Sequence, residues 1–129
     1  MNEITGSITF FYYNDLKRAS DFYANILGFK LVNDVDFAKV YHAGSGTHVG
    51  LVDGRRGSMK PTMENPVMLS LFVDDVNEWY THLLSKGLIL EPPIEPSYNP
   101  MRVLIFKDPE GYTLEFLQWL TSDGKLGKS

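Results

Sequence analysis

The stretch that decides the fold occurs twice: residues 8–29 read ITFFYYNDLKRASDFYANILGF, and residues 68–88 read MLSLFVDDVNEWYTHLLSKGL. Each copy begins with an apolar, aromatic-rich run that is typical of a strand. An acidic pair follows, with Asp15 or Asp75 as the N-cap of a helix, because apolar residues then recur at helical spacing. Each helix is predicted to end at a glycine, Gly28 or Gly87, as a left-handed C-cap prefers.

The similarity between the two halves continues after the helices. In the first half, strands are predicted at residues 29–32, 37–42 and 48–52. In the second half, strands are predicted at residues 88–90, 102–107 and 113–117. The turns AGSG and DPEG separate the last two strands of each half. Each half is therefore predicted to be a βαβββ module.

The fold class predicted from this repeat is α+β, with two tandem βαβββ modules at about residues 7–52 and 67–118. A polar linker, 53–66, joins them, and a polar tail, 121–129, follows. Because a short module alone buries little core, we expect the modules to form one domain, 1–129. The two modules would form a curved mixed sheet around a cleft, with the helices on its outer face.

Composition excludes several classes of protein. The 129 residues include no cysteine, which excludes disulfides, thiolate metal ligands and a cysteine nucleophile. The net charge of −4 and the lack of a basic stripe argue against a nucleic-acid partner. No apolar run reaches the length of a membrane span, so no membrane partner and a cytoplasmic location are expected.

Alternation in the last strand predicts which side chains face the cleft. In residues 112–117, YTLEFL, Leu114 and Phe116 belong under the helix, so Glu115 points into the cleft. The repeat places Gly50 at the matching point of the first half, with His48 on the same face.

The turn at residues 108–111 decides the face of the preceding strand. If it closes a two-residue hairpin, Arg102 and Phe106 share the face of Glu115, and Arg102 lies diagonal to Glu115, within reach. By the repeat, Lys39 and Tyr41 are the counterparts in the first half. A bulge in the turn would reverse this arrangement.

Two segments carry a resemblance to a known family. NDLKRASDFYANILGFKLV, at 14–32, and KDPEGYTLEFLQ, at 107–118, resemble the helix and C-terminal signatures of the vicinal oxygen chelate superfamily. This superfamily contains glyoxalase I, bleomycin-resistance proteins and extradiol dioxygenases. The resemblance covers almost the whole chain and is specific for the fold, whereas the fold hosts many chemistries.

The resemblance implies four metal-ligand positions: Ile8, Gly50, Met68 and Glu115. Metal-dependent members have His or Glu at these positions. Here only Glu115 suits a hard or borderline divalent cation, since Met68 offers a soft thioether and the other two offer no side-chain donor. We therefore expect no cofactor and the loss of the family's metal site.

The remaining candidates have two interpretations each. Glu115 is either a ligand-binding or general-base carboxylate, or the ion-pair partner of Arg102. His48 is either an acid/base group of the cleft or an exposed strand residue, and His42, at a strand end, is assigned to solvent. The other predicted cleft residues, which are core residues in the alternative interpretation, are Phe10, Tyr12, Tyr41, Met68, Phe72 and Phe106.

The function expected from these residues is metal-independent binding of an aromatic or apolar small molecule, including antibiotic-like ones. A homodimer is also expected, because an open curved sheet leaves apolar cleft and edge surface that one small chain covers poorly, and members of the family often pair. The alternative is a lyase, isomerase or dioxygenase in which Glu115, with His48 or Tyr41, performs acid/base chemistry or holds a metal in a non-standard site. An interaction module without a small ligand is a third interpretation.

Overall fold

The strands form two sheets, one for each half of the sequence, in the computed structural model of the chain. The structure describes residues 2–62, 64–97 and 100–121. The chain divides into two units: Met1–Pro66 with Asp108–Tyr112, and Val67–Lys107 with Thr113–Ser129. The predicted α+β class is confirmed. The predicted tail lies, beyond residue 121, outside the described residues.

The first unit contains one helical segment and four strands in the predicted order. These elements are β1 (Ser7–Tyr13), α1 (Leu16–Asp21) followed directly by a π-helical turn (Phe22–Ile26), β2 (Lys30–Val35), β3 (Ala38–Gly44) and β4 (Thr47–Asp53). The strand order is β1-β4-β3-β2, in which β1 and β4 are parallel and the other pairs are antiparallel. This half is therefore a complete βαβββ module.

The second unit repeats the scheme with fewer regular strands. Its elements are β5 (Met68–Phe72), α2 (Val76–Ser85), β6 (Met101–Lys107) and β7 (Thr113–Trp119). The strand order is β5-β7-β6, in which β5 and β7 are parallel and β6 and β7 are antiparallel.

The strand predicted at residues 88–90 does not form. The free edge of β6 pairs instead with Ile94, which exchanges two backbone hydrogen bonds with Val103, at 2.9 and 2.8 Å. Pro92 and Pro93 precede Ile94 and have no N–H, so a longer ladder is not available there.

Both helices begin and end where the sequence predicts. The carboxylates of Asp15 and Asp75 each accept a hydrogen bond from the backbone N–H three residues later, both at 3.1 Å. Gly28 and Gly87 follow the helical segments in the left-handed conformation, with φ of +74° and +89°. The predicted caps are therefore confirmed.

The core of the first unit lies on the side of the sheet that faces the helix. Phe11 and Tyr13 of β1, with Val49 and Leu51 of β4, are buried. The hydroxyl oxygens of Tyr13 and Tyr23 lie 3.1 Å apart, so the π-helical turn packs on this side.

The core of the second unit follows the alternation predicted for the last strand. Leu114 and Phe116 are buried, and the Phe116 ring lies 4.5 Å from the Trp79 ring of α2 and 5.2 Å from the Phe106 ring. Glu115 points to the opposite face, because neighbouring residues of a strand alternate. The predicted orientation of β7 is confirmed.

The predicted two-residue turn between β6 and β7 is wrong. The Asp108 N–H donates to the Tyr112 carbonyl at 2.9 Å and thereby closes a loop of three residues. Gly111 takes the left-handed conformation in this loop, with φ of +89°. A three-residue hairpin with a left-handed glycine is a common connection, and it shifts the register by one residue relative to a two-residue turn.

A comparable shift occurs in the first unit. Val40, rather than Tyr41, lies opposite Gly50, and the register is interrupted by a bulge between His42 and Gly44. A bulge of this kind adds a residue to one strand only. The predicted face of β3 is reversed for this reason, and the predicted face of β6 is reversed by the three-residue hairpin.

Candidate functional site

One face of the first sheet, opposite the helix, carries several of the predicted site residues. Ile8 lies opposite His48, and Phe10 lies opposite Gly50, with Tyr12 further along the same face. We call this surface the Gly50 face. Its members on the four strands are Ile8, Phe10, Tyr12, Lys30, Asn33, Val35, Ala38, Val40, His42, His48, Gly50 and Val52.

The centre of the Gly50 face is covered by an aromatic ring. A Cβ atom at position 50 would overlap the Phe10 ring and would lie 3.1 Å from Cγ2 of Ile8. Because the ring occupies this space, a larger side chain at position 50 requires Phe10 to move. Phe10 nevertheless remains 45% exposed, so its other side is available to a ligand.

An open cavity of about 640 Å³ lies on this face, next to Ile8. Ile8, Val32 and Val40 supply apolar walls, and Asn33 and His48 supply polar groups. The volume falls within the range of sites that hold small organic molecules, which are mostly apolar with a few polar groups.

Two histidines stand side by side at one end of the face. His42 lies directly opposite His48, and their ring centroids are 5.2 Å apart. Nδ1 of His48 lies 3.3 Å from the Ser7 carbonyl oxygen, which only accepts, so Nδ1 is the donor. Nε2 of His48 is then the nitrogen left for another partner.

The second sheet has a corresponding surface around Glu115. We call it the Glu115 face, and its members are Met68, Ser70, Phe72, Met101, Val103, Ile105, Lys107, Thr113, Glu115, Leu117 and Trp119. The Ser70 hydroxyl donates a hydrogen bond to the Glu115 carboxylate at 2.7 Å. Met68, Phe72 and Ile105 are each between 43% and 55% exposed, so the carboxylate stands among exposed apolar side chains.

The predicted positions of Arg102 and Phe106 are wrong. Both lie on the helix side of the second sheet, because the three-residue hairpin reverses β6. The Arg102 guanidinium pairs with Glu95 at 3.1 Å rather than with Glu115, and Phe106 is buried against Phe116.

Tyr41 and Lys39 also lie on the helix side of their sheet, contrary to the prediction. Tyr41 is buried, and its hydroxyl donates to the Ser20 carbonyl at 3.5 Å. The Lys39 ammonium pairs with the Asp34 carboxylate at 2.6 Å. These two residues are therefore structural, and the bulge in β3 is the physical reason.

The four metal-ligand positions implied by the family resemblance do not form a suitable donor set. In the first unit, Ile8 and Gly50 bring no donor atom, and the Phe10 ring fills the space beside Gly50. In the second unit, Met68 contributes only a thioether and Glu115 already accepts from a hydroxyl. Within the described ranges, no group of three His, Cys, Asp or Glu side chains is suited to hold a metal ion.

Sequence reasoning missed the polar members of the Gly50 face other than His48. Lys30, Asn33 and His42 share this face because β2 also contains a register shift, between Leu31 and Asn33. Gly44, at φ +114°, was the available signal for the bulge in β3, since a glycine before a tight turn favours irregular backbone.

A buried polar cluster in the first unit was also missed. Asp108 accepts hydrogen bonds at one carboxylate oxygen from the hydroxyls of Tyr13, at 2.5 Å, and Tyr23, at 3.0 Å. Its other oxygen accepts from the backbone N–H groups of Glu110 and Tyr112, at 2.9 and 3.0 Å. Burial raises the pKa values of both tyrosines well above the usual range, so they remain donors. The cluster is closed to ligands and holds the turn in place.

Comparison with known proteins agrees with this architecture. The model of the Glyoxalase/Bleomycin resistance protein/Dioxygenase superfamily matches residues 5–116. No curated protein matches the chain by sequence. No helix in the described part of the chain is long and apolar enough to cross a lipid bilayer.

Solved structures with the same fold include proteins with different names. A glyoxalase/bleomycin resistance protein/dioxygenase from Nocardioides is 23% identical with a TM-score of 0.77, over 100% of this chain and 91% of that one. TnmS3, an antibiotic binding protein from Streptomyces sp. CB03234, is 24% identical with a TM-score of 0.72, over 90% and 96%. A lactoylglutathione lyase from Agrobacterium tumefaciens is 19% identical with a TM-score of 0.71, over 85% and 90%. At these identities the likeness shows the fold alone.

Proposed function

Because the chain belongs to the glyoxalase/bleomycin resistance protein/dioxygenase superfamily, we propose that it binds a small organic molecule without a metal at the family's ligand positions. The observation that carries the proposal is the Gly50 face, on which the Phe10 ring covers Gly50 beside a cavity of about 640 Å³. A metal-binding member would need a donor side chain at this point, and here an aromatic surface takes its place.

The shape and composition of the cavity support an apolar or aromatic ligand body. Ile8, which lines the cavity, is 46% exposed, and Phe10, its neighbour on the Gly50 face, is 45% exposed, so both offer apolar surface to a ligand on this face. Burial of such surface contributes roughly 25 cal/mol per Å². The similarity in fold to TnmS3, whose name describes an antibiotic binding protein, supports antibiotic-like molecules as the ligand class.

A fluorescent apolar probe tests this function. We expect N-phenyl-1-naphthylamine to bind with an increase in emission and to lose about tenfold in affinity in Ile8→Gln, because the amide is poorly accommodated in an apolar wall. Ile89→Gln is the matched control, since Ile89 is fully exposed outside this face. Equal affinity of both variants for the probe would show that the probe does not bind at the Gly50 face.

Metal analysis of protein purified without chelator tests the metal-independent part. We expect much less than one equivalent of zinc, nickel, iron or manganese per chain, and unchanged probe binding after chelator treatment. A nearly stoichiometric metal that disappears in Glu115→Gln would overturn the proposal.

A second candidate function is catalysis by Glu115, which one observation favours. Arg102, the predicted partner of Glu115, pairs instead with Glu95 on the opposite side of the sheet, and Lys107, a cation on the Glu115 face, donates to the Thr113 hydroxyl at 2.6 Å. A carboxylate among exposed apolar side chains is a candidate general base. Lactoylglutathione is a first probe, since a lactoylglutathione lyase shares the fold. Thiol release from lactoylglutathione that is lost in Glu115→Gln and kept in Ser70→Ala would support this function. Equal rates of release in the native protein and in Glu115→Gln would eliminate it.

We also infer that the protein pairs as a homodimer. The Glu115 face exposes Met68, Phe72 and Ile105, an apolar area that a second copy of the chain would cover. The ring of Phe72 lies parallel to that of Trp119, with centroids 6.2 Å apart, and so extends this flat apolar surface.

A further inference from the structure

Three basic side chains form a row across one end of the Gly50 face. Lys30 of β2 lies opposite His42 of β3, which in turn lies opposite His48 of β4. Directly opposed residues in antiparallel strands have Cβ atoms about 5 Å apart. Lys30 carries a positive charge, so this end of the face favours a negative group, and the imidazoles of His42 and His48 add polar atoms beside it.

No carboxylate of β1 to β4 shares the face with this row. These strands carry two acidic residues, Asp34 and Asp53, and both lie on the helix side. Asp34 is already paired with Lys39 at 2.6 Å, and Asp53 with Arg55 at 2.8 Å. The negative partner of the row is therefore not supplied by the sheet itself.

The row lies next to the apolar cavity. His48 lines the cavity, together with Asn33, whose amide offers further N–H donors. Ile8, Val32 and Val40 form the apolar wall beyond them. A ligand lying on this wall would have one end at the basic row.

We propose that the site selects organic anions, with the apolar body on Ile8, Val32 and Val40 and one negatively charged group at Lys30, His42 and His48. This inference rests on the proposed function and names its ligand class. Carboxylate, sulfonate and phosphate groups all meet this requirement, since each is negatively charged and accepts charge-assisted hydrogen bonds. The protein carries a net charge of −4, so the preference arises from the local row and not from overall attraction.

A matched pair of probes tests the inference. 1-Anilinonaphthalene-8-sulfonate and N-phenyl-1-naphthylamine share one aromatic body, and only the first carries a negative charge. We expect the sulfonate to bind about tenfold more tightly at low salt. In Lys30→Gln/His42→Gln/His48→Gln this advantage should fall to about twofold or less, while the affinity for the neutral probe is unchanged.

Controls separate this outcome from general effects. Lys17→Gln removes a lysine that is 87% exposed on α1, and it should preserve the advantage of the sulfonate. Near-UV circular dichroism verifies native packing, because loosened proteins also bind the sulfonate probe. If the triple variant does not fold, Lys30→Gln alone, on the edge strand β2, should reduce the advantage about threefold.

The outcomes distinguish the inference from the function on which it rests. Equal affinity of the native protein for both probes, with binding sensitive to Ile8→Gln, overturns the anion preference and leaves the proposed function intact. Absence of binding for both probes overturns the two together. An advantage of the sulfonate that persists in the triple variant also refutes the assignment to this row.

Discussion

At the scale of single residues, Asp108 is the buried polar group with the most hydrogen bonds in the first unit. Its two oxygens accept from the hydroxyls of Tyr13 and Tyr23 and from two backbone N–H groups of its own turn. A buried carboxylate is tolerated only when such partners replace water. The turn at residues 108–111 therefore reverses the chain and also supplies the carboxylate that binds the two buried tyrosine hydroxyls.

Removal of one donor should destabilise the protein measurably. We expect Tyr13→Phe to lower the free energy of unfolding by about 2 kcal/mol, because a hydrogen bond to a buried charge is lost. Tyr12→Phe is the control, since its hydroxyl lies 3.3 Å from that of exposed Ser58 and should contribute less than about 0.5 kcal/mol. Urea unfolding measures both, and equal losses would contradict the importance of the cluster.

The same carboxylate predicts a pH dependence. Burial raises the pKa of Asp108, although its hydrogen bonds oppose this, so the folded chain holds the proton more tightly than the unfolded chain. The contribution of this group is fully present below the unfolded pKa of about 4 and is lost as the pH rises through the folded pKa. The stability of the native protein relative to Asp108→Asn should therefore fall as the pH rises above about 4. A difference that rises with pH would show that the hydrogen bonds outweigh burial.

At the scale of elements, the hairpin between β6 and β7 determines which side chains share a surface. The three-residue loop places Ile105, rather than Arg102, on the Glu115 face. Arg102 instead joins Glu95 of the proline-rich insertion, at 3.1 Å. One additional residue in the turn thus places Arg102 and Glu115 on opposite faces, whereas a two-residue turn would place them on the same face.

A double-mutant cycle checks this separation. We expect the effects of Arg102→Met and Glu115→Gln on the free energy of unfolding to add within about 0.5 kcal/mol, because the side chains lie on opposite faces. The pair Arg102→Met and Glu95→Gln is the comparison, and it should show a larger coupling. Coupling of Arg102 with Glu115 but not with Glu95 would show that β6 and β7 pair in the register of a two-residue turn.

At the scale of the whole molecule, each unit leaves an apolar sheet face exposed. On the Glu115 face, Phe72 is 55% exposed and Ile105 is 43% exposed. Water-exposed apolar area of this kind is typical of surfaces that bind a partner. In the proposed homodimer, a second copy of the chain covers the Glu115 face.

Sedimentation tests the homodimer. We expect a species of twice 14.6 kDa at micromolar concentration. Ile105→Gln should shift the equilibrium towards monomer by about tenfold or more, because an amide replaces a buried apolar contact. Ile89→Gln, at a fully exposed position, should leave it unchanged. A monomer of the native chain at this concentration would end the proposal.

The sequence by itself determined the features that depend on local patterns. The helix caps Asp15 and Asp75, the terminal glycines Gly28 and Gly87, and the alternation around Glu115 are each encoded within a few residues. Local backbone preference and strand periodicity are enough to predict them. The repeated module and the α+β class follow from the same signals, because each occurs twice in the same order.

Only the tertiary structure decided how the elements are aligned. The faces of β3 and β6 depend on one bulged or looped residue, and the sequence pattern permits both alternatives there. The contact of the Phe10 ring with Gly50 joins residues 40 positions apart. The hydrogen bond from Tyr13 to Asp108 joins residues 95 positions apart. Such contacts are set by how strands pair and pack, and local preferences carry no information about them. The aromatic cover of Gly50 and the basic row thus required the folded sheet.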